Sequence, residues 1–526
     1  MNEQKNILRL REILSSKSPV HDTPIGVIHP YWARKPMNII EEIIENLTCK
    51  GEIVIDPFMG SGTTVFAAIK KNRKVIGTDI NPLSSFMVKE LIQLSNDGTE
   101  KVLEEFVKKA EEDLLPLFRV NGNRYVERER FTVNGDYEGG KFSLRLIETV
   151  TKEFKHGLWR NRRVEVKPFE LKVSSGWEQY IEDPIKFSQI KLMPNSRIAI
   201  PPKTKLSDYY TSVNKVCVNY LLNLLSSDKY STNEKNSCKL LLSSALPLLR
   251  LSDKKASSQW PYWRPKNNLT SRNPIVVLHD RLRKIKKGIQ WLKQNEIACS
   301  VKDITTINQN DDFNIIVGQA AIQDLKSFIQ IKPKLVLTDP PYKDHVPYLE
   351  YSAYWNNILG FQVEAKHFEM EIVKSDAHER RSDSADYSKR LADALRVCSD
   401  IVDETGLVVW FYQDQDLRNW NTLYNVAQSC QMKIIDIIHL SKQRRSMKTL
   451  TTPGRTLDGD LIILFSKNQS MFEDVGICEP KIDRQDQRHE YYSQYVSIIR
   501  NAMLDGTISD ISKKHNFISE LIKRKK

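Results

Sequence analysis

From Glu52 to about Leu94, apolar and polar residues follow two alternating rhythms. EIVIDPF is a short apolar run ending in a turn, and TTVFAAIKKN has helical spacing. KVIGTDI is a second apolar run, and PLSSFMVKELIQL a second helix. Strand alternating with helix predicts βαβ units and a parallel sheet. A charged amphipathic helix is expected over about 97–118, after which the period fades among scattered Pro, Gly, Trp and Tyr. Alternation resumes at FNIIVGQA and runs through KPKLVLTDPPY, GLVVWFYQ, KIIDIIHL and DLIILFSK, with helices expected in YSKRLADALRVCSDIV and DLRNWNTLYNVAQSC. No helix separates the last two strands, so they should pair antiparallel. The fold class read from this pattern is α/β: a doubly wound, mostly parallel, seven-stranded Rossmann-like sheet with a terminal antiparallel hairpin and a large insertion. The expected division is 1–119, an insertion over 120–300, 301–470, and a helical tail over 471–526.

Composition adds little to this, but the placement of charge adds more. The 526 residues are 40% hydrophobic and 28% charged, which suits a globular chain with a sizeable core and argues against disorder or a fibre. No apolar run reaches the roughly 18 residues of a membrane span, and MNEQKNILRLREILSSK lacks a signal-peptide apolar region. Seven scattered cysteines without a CxxC pair argue against a zinc site or a disulfide framework and fit a reducing cytoplasm. The net charge is +13, yet residues 121–300 alone hold 33 basic and 17 acidic side chains, while both flanks are near neutral. Such a concentration suggests a polyanion-binding face.

Two constellations carry chemistry. The first is Asp56-Pro57-Phe58-Met59-Gly60-Ser61-Gly62-Thr63-Thr64, at a strand-to-helix turn. Its glycines let the backbone approach a ligand, and the helix that follows presents free N–H groups. Asp79 ends the next strand, where a carboxylate can accept from both ribose hydroxyls. No lysine follows the second glycine as a phosphate loop requires, and a dinucleotide site's three-glycine spacing is missing. Asp56 would repel a pyrophosphate but suits a ligand bearing an ammonium group. A nucleoside carrying an amino acid, S-adenosylmethionine, meets that description.

The second constellation is Asp339-Pro340-Pro341-Tyr342. A carboxylate, a carbonyl held out of any helix by proline, and an aromatic face suit an exocyclic amine on a planar ring.

Together the two motifs resemble those of the class I amino-methyltransferases of DNA, which methylate N6 of adenine or N4 of cytosine. HPYWARKPMNIIEEIIENLT is similar to the helix such enzymes place before the glycine motif. DPPYKDHVPYLEYSAYW and TPGRTLDGDLIILFSK resemble an adenine-type subgroup. The similarity covers about 1–95 and 310–467, in an α-like motif order whose intervening segment reads DNA sequence in the family. Here the insertion precedes FNIIVGQA, earlier than is usual, and Gln319 stands where the family has an acid near the cofactor adenine. The resemblance implies that Asp56, Phe58, Gly60, Gly62, Thr63 and Asp79 bind S-adenosylmethionine. Lys35 and Pro36 would sit near its methionine end and Gln319 near its adenine. Asp339, Pro340, Pro341 and Tyr342 would hold a flipped base and perform catalysis.

The function so implied is site-specific methylation of adenine N6 in double-stranded DNA, in the cytoplasm at the nucleoid, alongside a cognate restriction or defence protein. Trp260, Trp263, Arg264 and Lys266, with Arg444, Arg445 and Arg455 in the last hairpin, are the expected DNA contacts, and RLRKIKKGIQWLK a basic helix. Tyr348, Tyr351, Tyr354 and Trp355 fit either a base-stacking wall or a helix packed on the core. Two other readings stand beside this one: the same chemistry on cytosine N4 or RNA, and a non-catalytic cofactor-binding DNA-recognition subunit of a defence complex.

Overall fold

The computed structural model describes residues 3–134, 143–155, 158–181, 206–252, 268–297, 300–304, 307–308, 311–342, 346–377, 380–440, 459–468 and 487–524. Among these residues the main sheet has eight strands, in the order Lys433–Leu440, Asp460–Ser466, Leu407–Tyr412, Leu335–Thr338, Ile53–Asp56, Lys74–Asp79, Ile315–Gln319 and Lys302–Asp303. The two-residue edge strand Lys302–Asp303 makes the count eight rather than seven. From that edge to Leu407–Tyr412 every pairing is parallel. Asp460–Ser466 then slots antiparallel between Leu407–Tyr412 and Lys433–Leu440.

The central strands are buried on both faces. Leu335–Thr338 and Leu407–Tyr412 are buried at every residue, which explains their unbroken apolar runs. The period of two still sorts side chains between layers. Val54, Leu335 and Val409 face a core shared with helices Glu3–Ser16, Met37–Leu47 and Pro82–Gln93. Ile55, Val336 and Trp410 face a second core, built with helices Ser384–Ile401, Leu417–Ser429 and Gln487–Leu504. The tail is thus packed onto the sheet. On the edge strand, the buried Asp436 carboxylate meets Arg11 Nε at 2.8 Å and Arg500 Nη2 at 3.2 Å, joining the first helix to the tail.

The stretch without a clear period holds a second sheet. Strands Arg119–Asn121, Arg124–Asn134, Ser143–Lys155 and Leu158–Val166 pair antiparallel in turn, and Asn268–Arg272 also pairs with Arg124–Asn134. Register shifts at Val126/Arg128 and Arg130/Phe131 break the alternation, which is why the sequence pattern does not show these strands. The expected basic helix spans Pro274–Gln294 and packs Ile285, Ile289 and Leu292 inward. Part of its charge is met by a neighbouring helix, where Lys286 pairs with Glu100 and Glu104, and His279 Nε2 lies 2.6 Å from Glu111. Among the described residues no helix is long and apolar enough to cross a membrane.

Candidate active site

Strands Ile53–Asp56 and Leu335–Thr338 are neighbours, so the two motif turns emerge side by side. Thr338 Oγ1 donates to Asp56 Oδ1 at 3.2 Å, tying the strand tips together. After Asp56 the chain turns tightly. Gly62 N donates to Met59 O at 2.7 Å, and both glycines are left-handed, Gly60 at φ +50° and Gly62 at φ +77°. A side chain at Gly60 would press on the Tyr31 ring at 3.1 Å, so the loop backbone lies directly against an aromatic wall. Asp79 braces the loop: Oδ2 accepts from Gly60 N and Oδ1 from Asn81 N, both at 2.9 Å. The Ser84 hydroxyl is a third hydrogen-bond partner of this carboxylate.

This loop borders a cavity lined by Tyr31, Trp32, Arg34, Lys35, Asp56, Phe58, Gly60, Thr63, Asp79, Asp339, Pro341, Tyr348 and Glu371, among others. Burial, the largest cause in each case, pushes Asp56 up to about 7 and Asp79 up to about 6 despite their hydrogen bonds. The structure therefore bears a standing cost for two buried carboxyls that a cationic ligand would relieve. Arg34 Nη1, also buried, has no hydrogen-bond partner. A cation-accepting, partly aromatic cavity with one unmet guanidinium nitrogen fits a nucleoside that bears a sulfonium, an ammonium and a carboxylate.

A second cavity lies beyond Asp339 and is lined by His21, Pro36, Pro340, Tyr342, Val346 and Asp460 among others. It shares Ala33, Arg34, Lys35, Asp339, Pro341 and Tyr348 with the first. Asp339 Oδ2 is 3.0 Å from Lys35 Nζ, whereas the buried Oδ1 has no hydrogen-bond partner. Lys35 Nζ is also 3.0 Å from Asp460 Oδ2 and from the Tyr342 hydroxyl. Burial pushes the Asp339 carboxyl up; Lys35 pulls it down and Asp460 pushes it up again, and the net direction is upward. Burial disfavours the Lys35 ammonium, but the two carboxylates outweigh it and its pKa is raised.

The expected residues divide between the two cavities. Lys35, Asp56, Phe58, Gly60, Thr63, Asp79, Asp339 and Pro341 line the first, and Pro36, Pro340 and Tyr342 only the second. Gly62 lines neither; its missing side chain makes room for Val88, 2.8 Å from where a Cβ would sit. Gln319 also lies outside both, donating from Nε2 to Ile80 O at 3.2 Å. Tyr348 walls both cavities, while Tyr354 and Trp355 are core: Tyr354 OH bonds Leu246 O at 2.8 Å and Trp355 Nε1 bonds Ser243 O at 2.9 Å. Trp260, Trp263, Arg264, Lys266, Arg444, Arg445 and Arg455 fall outside the described residues.

Several participants were missed. Tyr31 stacks on Tyr348 with centroids 5.9 Å apart, and Trp32 meets Tyr348 and Tyr351. The aromatic pair before Lys35 was their visible signal. Glu371, on the first cavity, accepts from Leu349 N at 3.1 Å and pairs with buried Arg380. Asn81 accepts from Leu83 N and Ser352 Oγ and so ties the Asp79 strand to the Tyr348 helix. Asp460 and these two had no local signal.

Comparison with known proteins defines the class. A family model described as DNA methylase matches residues 4–85 and 334–517, just over half of the chain, and the chain belongs to that family. Among individual relatives it is 22% identical, over 345 residues, to the type II methyltransferase M.MjaII of Methanocaldococcus jannaschii, covering 62% of this chain and 61% of that one. It is 36% identical over 91 residues to the type II methyltransferase M.HpaI of Haemophilus parainfluenzae, 17% of this chain and 29% of that one. It is 47% identical over 49 residues to the type II methyltransferase M.HindIII of Haemophilus influenzae, 9% and 16% of the two chains. The chain thus spans about three fifths of the first relative's length and under a third of the others'. No solved structure matches. Type II DNA methyltransferases of this family take their methyl group from S-adenosylmethionine.

Proposed function

We propose that this protein is a site-specific DNA methyltransferase that modifies N6 of adenine in double-stranded DNA. The observation that carries the reading is Asp339 Oδ1, a buried acceptor without a partner on the wall common to both cavities. Asp79 would take the ribose hydroxyls of S-adenosylmethionine, Tyr31 and Phe58 would flank it, and Arg34 would meet its carboxylate. When bound, that cofactor supplies an electrophilic methyl group on a sulfonium sulfur.

The target amine is a weak nucleophile because its lone pair is delocalised into the ring. Asp339 Oδ1 would accept one amine hydrogen and the Pro340 carbonyl the other, pyramidalising the nitrogen and aiming its lone pair at the donor cavity. Positioning and electrostatics of this kind can supply about 7–11 kcal/mol. A duplex buries N6, so the base must be extruded at a cost of a few kcal/mol; the rings of Tyr342 and Tyr348 would offset part of it by stacking.

Residues 120–300 would serve as the target-recognition segment between catalytic parts 1–119 and 301–470, with 471–526 as a buttress. Trp260, Trp263, Arg264 and Lys266, with Arg444, Arg445 and Arg455, would be its DNA contacts, and a cognate restriction or defence protein its partner. Adenine is favoured over cytosine by the DPPY form of the motif. The test is incubation with labelled S-adenosylmethionine and unmethylated DNA, followed by mass spectrometry of nucleosides. N6-methyladenine formed by the natural protein and lost in Asp339→Ala, with cofactor affinity largely kept, is expected. N4-methylcytosine would move the assignment to the other amine, and cofactor binding without turnover on any DNA would favour a non-catalytic subunit.

A further inference from the structure

We infer that Lys35 and Asp460 are positioning residues for the acceptor carboxylate: Lys35 holds Asp339 as an anion with one oxygen turned to the incoming amine, and Asp460 competes for that lysine. The inference rests on the reading proposed above. An ammonium has three N–H donors, and Lys35 Nζ has three oxygens at 3.0 Å: Asp339 Oδ2, Asp460 Oδ2 and the Tyr342 hydroxyl. Its donors are therefore spent within the site, and none is left for a bound cofactor, near whose methionine end this lysine was expected. The ring faces of Tyr342 and Phe411, 4.9 and 5.4 Å away, close off its remaining sides.

The same geometry orients Asp339. With Oδ2 committed to Lys35, the buried Oδ1 is the oxygen left to accept an amine hydrogen. Two carboxylates on one ammonium leave the trio one negative charge in excess. An amine that gains a methyl group must shed one proton, and Asp339 Oδ1 is placed to take it, bringing the trio to neutrality before the proton passes to solvent. The other ionisable groups around Asp339 are Asp56 from the neighbouring strand tip, Tyr342 and Tyr348 beside it, and Arg34 and His21 on the cavity walls. The Tyr342 hydroxyl contacts Lys35 and also hydrogen-bonds the Asp339 carboxylate. Opposite charges at salt-bridge distance lower a carboxyl's pKa by about 1–3 units, and a like charge raises it.

The test uses the full chain, tritiated S-adenosylmethionine and unmethylated genomic DNA, with kcat measured from pH 5.5 to 9. Lys35→Gln should move the acid limb of the profile up by about 1–3 units, and Asp460→Asn should move it down by about half a unit or more. Cofactor affinity by calorimetry should stay within about threefold in both, and Lys35→Arg should restore the limb. Asp56→Asn, run in parallel, identifies any limb that belongs to Asp56. Limbs that stay put or move in the same direction in an active protein overturn the inference, as does a tenfold loss of cofactor affinity in Lys35→Gln. If Lys35→Gln does not fold, the isosteric Asp460→Asn decides alone, because a structural role would lower kcat without shifting the limb. A wild-type protein inactive on all DNA overturns the methyltransferase reading itself, and this inference with it.

Discussion

Gly62→Ala isolates what the glycine turn demands. Gly62 sits at φ +77°, where an L side chain costs about 1–2 kcal/mol. Its added Cβ would also lie 2.8 Å from both methyl groups of Val88, a residue fully buried on helix Pro82–Gln93. Overpacking of that kind costs about 1–3 kcal/mol. The expected loss of stability is therefore about 2–5 kcal/mol. Gly51 is the internal control: at φ +81° with nothing within 4 Å of a built Cβ, its change to Ala should cost only the backbone part, about 1–2 kcal/mol. Equilibrium urea unfolding followed by tryptophan fluorescence measures both. Calorimetry with S-adenosylmethionine reads the second consequence, because relieving the clash must displace the loop that carries Phe58 and Gly60 along the first cavity. A tenfold weaker affinity, about 1.4 kcal/mol, is expected for Gly62→Ala and none for Gly51→Ala. If the two variants unfold within 0.5 kcal/mol of each other, the packing argument is wrong.

Three further outcomes follow from buried charge. Asp79→Ala unmakes the acceptors for Gly60 N and Asn81 N and should weaken cofactor binding by about 1–3 kcal/mol; calorimetry showing no loss would refute that. Asp436→Ala removes the buried carboxylate that Arg11 and Arg500 share and should destabilise the fold by about 3–5 kcal/mol in urea unfolding, so a near-native midpoint would count against the triad. Burial, foremost, holds Asp56, Glu90 and Glu129 at about 7 and Asp79 at about 6. The folded chain then keeps protons that the unfolded chain releases, and stability is lost as pH rises from about 4 to about 7. Buried His29, drawn down to about 4, works the other way, losing stability as pH falls below 6.5. The melting temperature of the ligand-free protein should accordingly rise from pH 8 to 6.5, less so in Asp56→Asn; a flat or falling course contradicts the assignment.

The parallel strands were legible because burial on both faces writes itself as nearly continuous apolar runs such as LVLT and LVVWFY. The glycine turn was legible for a similar reason, since a tight strand-to-helix turn needs residues that tolerate positive φ. The second sheet was not. Its strands are half exposed and bulged, so charged residues fall on both faces and the period of two is lost. The basic helix at 281–293 was visible as a helix, but not that Glu100 and Glu104 on another helix meet part of its charge. Lys35 was picked out as a cation, yet its pairing with Asp460 spans more than 400 residues and leaves no local trace.

The amino-acid sequence by itself determined the α/β alternation, the two turns and the chemistry of the residues on them, because backbone conformation and side-chain type act over a few neighbouring positions. Which strands lie side by side was a tertiary decision. It set the two turns at adjacent strand tips, made one wall common to two cavities and left Asp339 with one oxygen held and one open. The physical reason is that burial and charge pairing depend on distances between segments far apart in the chain, and folding alone brings those segments together.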